Sequence, residues 1–208
     1  LLAAFLRLYR IADYMTFLGD EGRDVLAVKG ILDGHFTLLG PRSSAGDFYT
    51  GPIYYYMIAP FLWAFNFDPV GPAILIALLG IATVFLVYYV GKKLFSESVG
   101  LIAAALYAVS PLVITYSRSS WNPNPMPFIT LLILYLLYLA VNNLSWKYFL
   151  GIGFLYGIAL QLHYIELFVG IIIFFFTLFG YFYFKRTNIF ILLKQYLILL
   201  SGFIFGFS

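Results

Sequence analysis

Six apolar runs, at about 71–90, 98–116, 127–142, 147–162, 166–184 and 189–207, dictate what this chain can become. Each is roughly 16–20 residues long, near the ~20 helical residues needed to cross a hydrocarbon core. A membrane barrel strand needs only about 9–11 residues of alternating polarity, so the runs point to helices. A soluble core is excluded by amount: 63% of the residues are hydrophobic and 10% charged, with a mean hydropathy of +0.95. Soluble domains average about 45–50% apolar and about 25% charged residues. The expected fold class is all-α integral membrane, a polytopic helical bundle. Leu1 to about Ile11 reads as the tail of a further span, which makes about seven. The chain starts and ends inside apolar runs without an initiator Met, so 1–208 is read as the N-terminal fragment of one longer transmembrane domain. Arg7 and Arg10 follow the first apolar stretch and no small-residue cleavage site does, which argues against a signal peptide.

The charges give an orientation. If the first helix leaves the cytoplasm, the inner connections are 91–97, 143–147 and 185–188. These, with the start of the last helix, carry Lys92, Lys93, Lys147, Lys185, Arg186 and Lys194, as the positive-inside bias requires. Of nine acidic residues only Glu97 falls inside. Asp20, Glu21, Asp24, Asp33, Asp47, Asp68 and Glu166 fall outside, with Asp13 near the outer boundary. The net charge of +3 is scattered and forms no surface for nucleic acid, and without cysteine there is no disulfide framework or thiolate chemistry.

The first outer loop, about 13–70, contains the one long polar stretch, Gly19 to Gly51. Gly19 or Asp20 can cap a helix with Glu21 and Asp24 in its first turn. Val25, Val28 and Leu32, beside Leu26 and Ile31, then follow a one-sided apolar rhythm that ends at Gly34. This predicts a juxtamembrane helix lying on the membrane surface. Gly40-Pro41 and Ser43-Ser44-Ala45-Gly46 are loop signals. Pro52 to Phe65 is apolar but only about 14 residues long. Tyr54, Tyr55, Tyr56 and Trp63 suit the headgroup region, which predicts an interfacial or re-entrant helix.

Three polar clusters, all outside by the charge count, could carry chemistry. Asp20, Glu21 and Asp24 share one helix face and could act as a general base or bind a hard cation, or could simply be first-turn acids. In Tyr116-Ser117-Arg118-Ser119-Ser120-Trp121-Asn122-Pro123-Asn124-Pro125-Met126-Pro127, alternate prolines predict an extended, solvated path. Arg118 there offers bidentate donors for phosphate, Asn122 and Asn124 offer amides, and Trp121 offers a flat face. Equally, Arg118 and Trp121 fit interface anchors. In Gln161-Leu162-His163-Tyr164-Ile165-Glu166, His163 could ligate a metal or meet a phosphate, or serve as a hydrogen-bonded structural residue. Walker-type loops, His-Glu-x-x-His and cysteine pairs are absent. Paired broken helices with mid-membrane acids, expected of many transporters, are not evident.

With those residues laid out, the chain resembles the GT-C superfamily of membrane glycosyltransferases. It is most similar to the branch containing dolichyl-phosphate-mannose protein mannosyltransferases and bacterial lipid A aminoarabinose transferases. The resemblance rests on Asp20-Glu21 just beyond the first span and on Gly51-Pro52-Ile53-Tyr54-Tyr55-Tyr56. It rests also on Gly91-Lys92-Lys93-Leu94-Phe95 before Gly100-Leu101-Ile102-Ala103-Ala104 and Ser110-Pro111. Two departures stand out: Asn122 and Asn124 where some relatives have an acid, and Gly51 where relatives often have Lys.

The resemblance implies transfer of a sugar, hexosyl or pentosyl, from a polyprenyl-phosphate donor to a protein, lipid or glycan acceptor. Transfer would occur on the extracytoplasmic face of a multi-pass protein, with the plasma membrane the expected location. It makes Asp20 the base or acceptor-orienting carboxylate and Glu21 its neighbour. Asp24, Arg42, Tyr54, Arg118, Trp121, Asn122 and His163 are the expected substrate contacts. Arg23, Arg42, Arg118 and His163 are the groups available to meet charge on the departing phosphate. No metal ligand set is assigned; a divalent cation is compatible with the acids but not required by them. The alternative function is a carrier or flippase for a lipid-linked or polar solute.

Overall fold

The computed structural model describes residues 1–43, 46–184 and 188–208. Part of the expected loop signal (Ser44, Ala45) and the inner charges Lys185 and Arg186 lie outside them. The described residues form helices, with one isolated antiparallel bridge between Arg42 and Tyr49 as the only strand-like pairing among them. The chain divides into two compact units, Leu1–Phe128 and Ile129–Ser208.

The first unit contains α1 (Leu2–Leu8), α2 (Ile11–Tyr14), α3 (Gly19–Leu32), α4 (Ile53–Ala64), α5 (Val70–Leu94), α6 (Glu97–Val109) and α7 (Pro111–Tyr116). The expected single span 98–116 is thus two helices. Pro111 disfavours a helical residue before it, and Ser110 is extended at φ −60° and ψ 119°. The break leaves the last α6 carbonyls without helical partners, and Arg7 from α1 reaches them. Its guanidinium donates to the Ala108 oxygen at 3.1 Å and to the Tyr107 oxygen at 3.4 Å. A cation at the negative end of a helix dipole explains how an arginine can be wholly buried here without a carboxylate partner.

The juxtamembrane helix exists, but its buried face is not the expected one. Glu21, Asp24, Val28 and Ile31 point inward, whereas Leu26 is 71% exposed. The i, i+3, i+7, i+10 stripe packs towards α4, so the acids begin the protein-facing side rather than the solvated one. The aromatic residues of α4 differ in the same direction. Tyr54 and Tyr55 are buried inside the protein, and Tyr56 donates its hydroxyl to the Thr37 oxygen at 2.8 Å; Trp63 alone stands fully out.

The start of α8 (Met126–Asn143) belongs to the first unit and the rest to the second, which continues with α9 (Trp146–Leu162), a 3₁₀ turn (Tyr164–Glu166), α10 (Leu167–Tyr183) and α11 (Ile189–Phe207). Here α9 and α11 form the main contact. Two Gly-x-x-x-Gly pairs make it: a Cβ on Gly157 would lie 2.6 Å from the Phe203 oxygen, and one on Gly153 would strike the Leu199 oxygen. Gly202 and Gly206 meet the Leu150 and Phe154 oxygens in the same manner. Where hydrocarbon removes the hydrophobic drive between helices, such backbone approach supplies the packing.

Among the described residues four segments have the length and apolarity of a span: Val70–Leu94, Met126–Asn143, Tyr164–Tyr183 and Ile189–Phe207. Of the other expected spans, α9 stops at 17 residues, α6 at 13 and α1 at 7. The protein is an all-helical, multi-pass membrane protein, and four of the about seven expected spans are met at full length among the described residues.

Candidate active site

The site is built where α3 begins. Leu18, not Gly19 or Asp20, is the N-cap, extended at φ −114° and ψ −170°. Leucine has no side-chain acceptor, so Glu21 reaches back and its Oε2 takes the Leu18 N–H at 2.9 Å. This is the reciprocal half of a capping box. Its other oxygen, Oε1, accepts from Ser119 Oγ at 2.8 Å, and Thr16 Oγ1 donates to Ser119 Oγ at 2.8 Å. Both carboxylate oxygens of Glu21 are therefore engaged, and the residue is 5% exposed. Glu21 ties the α3 start to the segment after α7.

The two aspartates converge on Arg23. Asp20 Oδ1 lies 2.7 Å from Arg23 Nη1; Asp24 Oδ1 takes Nη2 at 2.7 Å and Nε at 2.9 Å. Their surroundings differ sharply. The Asp20 side chain is 51% exposed, while that of Asp24 is 1% exposed and its Oδ2 has no hydrogen-bond partner among the described residues. Burial, reinforced by the charges of Asp20 and Glu21, pushes the Asp24 carboxyl up to about 6 against the pull of Arg23. Asp24 thus binds a proton in the folded state at pH values where the unfolded chain has lost it. Stability tied to Asp24 is complete below the ordinary carboxylate range and is lost as pH rises through about 6. Relative to Asp24→Asn, the wild type should gain on the order of 1 kcal/mol on going from about pH 7 to about pH 5. Paired thermal melts of the two proteins across that range measure it. The face suggested for a hard cation is occupied by a guanidinium, and no group of three acids or histidines among the described residues is arranged to hold a metal.

Beside these acids lies a cavity of about 350 Å³, lined by Asp20 and Glu21, by Thr16 and Ser119, and by Tyr116 and Trp121. A second cavity, of about 370 Å³, shares Tyr116 and Trp121 with the first. Its other walls are largely apolar, among them Leu112, Val113 and Pro127. Unit 1 therefore sets a chamber bearing two carboxylates against one with no charged wall across two aromatic side chains.

The expected residues sort into three groups. Asp20, Glu21 and Trp121 line the acidic chamber, and Asp24 sits behind it through Arg23. Tyr54 and Asn122 are buried in the same unit; the Tyr54 hydroxyl is 2.8 Å from Ser120 Oγ, which pins α4 to the segment carrying Ser119. Arg118 and Arg42 are engaged elsewhere. Arg118 donates to the Leu6 oxygen and lies 5.1 Å over the Tyr14 ring, and Arg42 pairs with Asp47 at 2.9 Å, both side chains being exposed. His163 belongs to the second unit, where its Nδ1 accepts the Ile165 N–H at 3.2 Å and caps the 3₁₀ turn. Burial lowers its proton affinity.

The segment 116–127 departs from the extended, solvated path expected of it. It is folded into turns, Asn124 N–H to Trp121 O at 2.9 Å and Met126 N–H to Pro123 O at 3.0 Å. Ser117, Ser119, Ser120 and Asn122 are buried there, and for the three serines the Val113 oxygen, Glu21 and the Tyr54 hydroxyl take the place of water. Thr16 and Ser119 were not singled out in the sequence. Hydroxyl residues are common, and only the fold brings these two within 2.8 Å of each other.

No match to an individual curated protein was found. Residues 49–205 match the family model described as Dolichyl-phosphate-mannose-protein mannosyltransferase, about three quarters of the chain. The matched stretch includes α4, the Tyr116–Pro127 segment and the full-length spans except for the last two residues of α11, while the α3 acids precede it. With the helical membrane architecture and this match together, the chain belongs to the dolichyl-phosphate-mannose-protein mannosyltransferase family of GT-C-type membrane glycosyltransferases.

Proposed function

We propose that this protein transfers a sugar, hexosyl or pentosyl, from a polyprenyl-phosphate donor to an acceptor hydroxyl on the extracytoplasmic side, with residues 1–208 forming part of one transmembrane catalytic domain. The observation that carries the reading is the pairing of a chamber lined by Asp20 and Glu21 with an uncharged, largely apolar chamber across Tyr116 and Trp121. A donor of this class needs both: hydrocarbon walls for isoprenoid and a wet, charged end for the sugar phosphate. The excess of lysine on the other set of connections supports placing the acids outside, and the plasma membrane is the location proposed.

Asp20 is the proposed base. Arg23 holds its Oδ1, and with the side chain half exposed to the chamber, Oδ2 is open to an incoming hydroxyl. The acceptor oxygen attacks the anomeric carbon as its proton passes to Asp20. The carbon–oxygen bond to phosphate breaks, and its electron pair leaves on the phosphate. A phosphate already bears charge, so no acid is required for its departure. Glu21, engaged at both oxygens, positions the chamber wall rather than exchanging protons. Trp121, Asn122, Tyr54 and Asp24 shape the substrate side. Arg118 is the cation nearest in sequence to the shared aromatic wall; Arg42 and His163 are held in other contacts.

Membranes containing the full-length protein, given a panel of radiolabelled polyprenyl-phosphate sugars, should form a covalent product with at least one of them. Counterflow of label across sealed vesicles with no covalent product would instead identify a carrier and overturn the reading.

A further inference from the structure

Asp24 is an acid of the first unit that does not reach the chamber. Its side chain is 1% exposed, and it is not among the residues lining the cavity beside Asp20 and Glu21. Its Oδ2 has no hydrogen-bond partner among the described residues, and burial, reinforced by Asp20 and Glu21, holds the carboxyl up at about 6. Ionised at neutral pH, it costs the fold stability that an uncharged side chain of the same shape would keep.

What the ionised group makes is a clamp. Its Oδ1 accepts from both Nε and Nη2 of Arg23, at 2.9 and 2.7 Å. Two donors on one edge of a planar guanidinium fix its rotation as well as its position. The remaining nitrogen, Nη1, donates to Asp20 Oδ1 at 2.7 Å, and this is the hydrogen bond that holds the half-exposed Asp20 side chain. The groups facing Asp24 are Asp20, Glu21 and Arg23 on its own helix and Tyr54 and Tyr55 on α4. Burial raises the proton affinity of both tyrosines, so they stay neutral where Asp24 titrates.

We propose that Asp24 is a positioning residue for sugar transfer: its carboxylate clamps Arg23, and Arg23 fixes Asp20 with one oxygen left for the acceptor hydroxyl. Asp24 itself touches no substrate. The inference rests on the reading of Asp20 as the base and adds the group that sets its geometry. Holding a base through a further hydrogen-bonded group is a general device of proton-transfer sites. Protonation of Asp24 replaces the charge-assisted fork by weaker neutral bonds, so the clamp loosens as pH falls through about 6. The form that serves transfer is thus the one the fold favours less.

The test compares the full-length wild type with Asp24→Asn, using the radiolabelled polyprenyl-phosphate sugar that gives product. At about pH 7.5, Asp24→Asn should lower kcat about 10-fold or more, towards the ~10²-fold that a misplacement near 1 Å can cost, with the donor KM within about 2-fold. It should melt at or above the wild type at that pH. The ratio of wild-type to variant kcat should fall towards one as pH drops through about 6, because protonated Asp24 and asparagine hold Arg23 alike. Titration of any group common to both proteins cancels in that ratio. In an Arg23→Gln background, Asp24→Asn should lower kcat no further. A ratio independent of pH, or losses that add in the double variant, would overturn the proposal. So would failure of Asp24→Asn to fold, since a carboxylate that only positions is dispensable to the structure. Wild-type kcat in Asp24→Asn beside a slow Asp20→Asn would sink this inference alone. A wild-type rate in Asp20→Asn would remove the base and the inference together.

Discussion

Asp20→Asn should lower the initial rate of sugar transfer by about 10²–10⁴-fold, the range general-base removal typically costs. Its amount in the membrane and its melting temperature should stay near wild type. The contrast comes from exposure. The Asp20 side chain is 51% exposed and its ion pair with Arg23 faces solvent, so the pair contributes at most about 1 kcal/mol to the fold. Loss of the carboxylate from the first turn of α3 adds only about 0.3–1 kcal/mol. An amide keeps the shape and still accepts from Arg23, but it cannot take a proton from an acceptor hydroxyl. Initial-rate assays with a radiolabelled donor, alongside melting curves, separate the two effects. A wild-type rate in the Asn variant removes Asp20 from the reaction.

The second large effect is expected far from the chemistry. Gly153→Val should destabilise the second unit by about 3 kcal/mol or more, at the upper end of what overpacking costs. The Cβ alone would collide with the Leu199 carbonyl and lie 2.8 Å from the Phe203 nitrogen, both of them backbone atoms that cannot rotate aside. Gly151 is the internal control. It is two residues away on the same helix, and a Cβ there meets nothing closer than Leu136 Cδ1 at 3.8 Å. Gly151→Ala should therefore melt near wild type while Gly153→Val melts early. Equal melting of the two would mean that α9 and α11 do not approach through their glycines.

The helical membrane class was legible because hydrocarbon leaves a spanning chain few options, and run length alone selects among them. The break at Ser110 was less so. Ser110-Pro111 sits inside a continuous apolar run, and hydropathy does not register a missing N–H. Gly153-x-x-x-Gly157 and Gly202-x-x-x-Gly206 were readable in the chain, yet which helices they join is a tertiary fact. The acid pair at 20–21 was visible as an anomaly of polarity. Its division of labour was not, because Glu21 acquires its capping duty from a leucine at position 18 that offers nothing itself. Arg118 and His163 have the chemistry of phosphate contacts, and the fold engages them with a carbonyl, an aromatic ring and a turn.

The seating of Arg7 has a consequence for biogenesis. Its acceptors on α6 lie about a hundred residues further along the chain, the Ala108 oxygen 101 positions away. At synthesis speeds of about 5–20 residues per second, the guanidinium reaches the insertion machinery some 5–20 seconds before those carbonyls exist. During that interval Arg7 lacks its α6 acceptors and keeps only the Ala3 oxygen of its own helix, 3.3 Å away. A cation without those partners favours a position beside the translocon or an insertase over free partition into lipid. A ribosome-stalled intermediate ending before residue 107 should therefore crosslink to that machinery through α1, and one extended well past α7 should have let go.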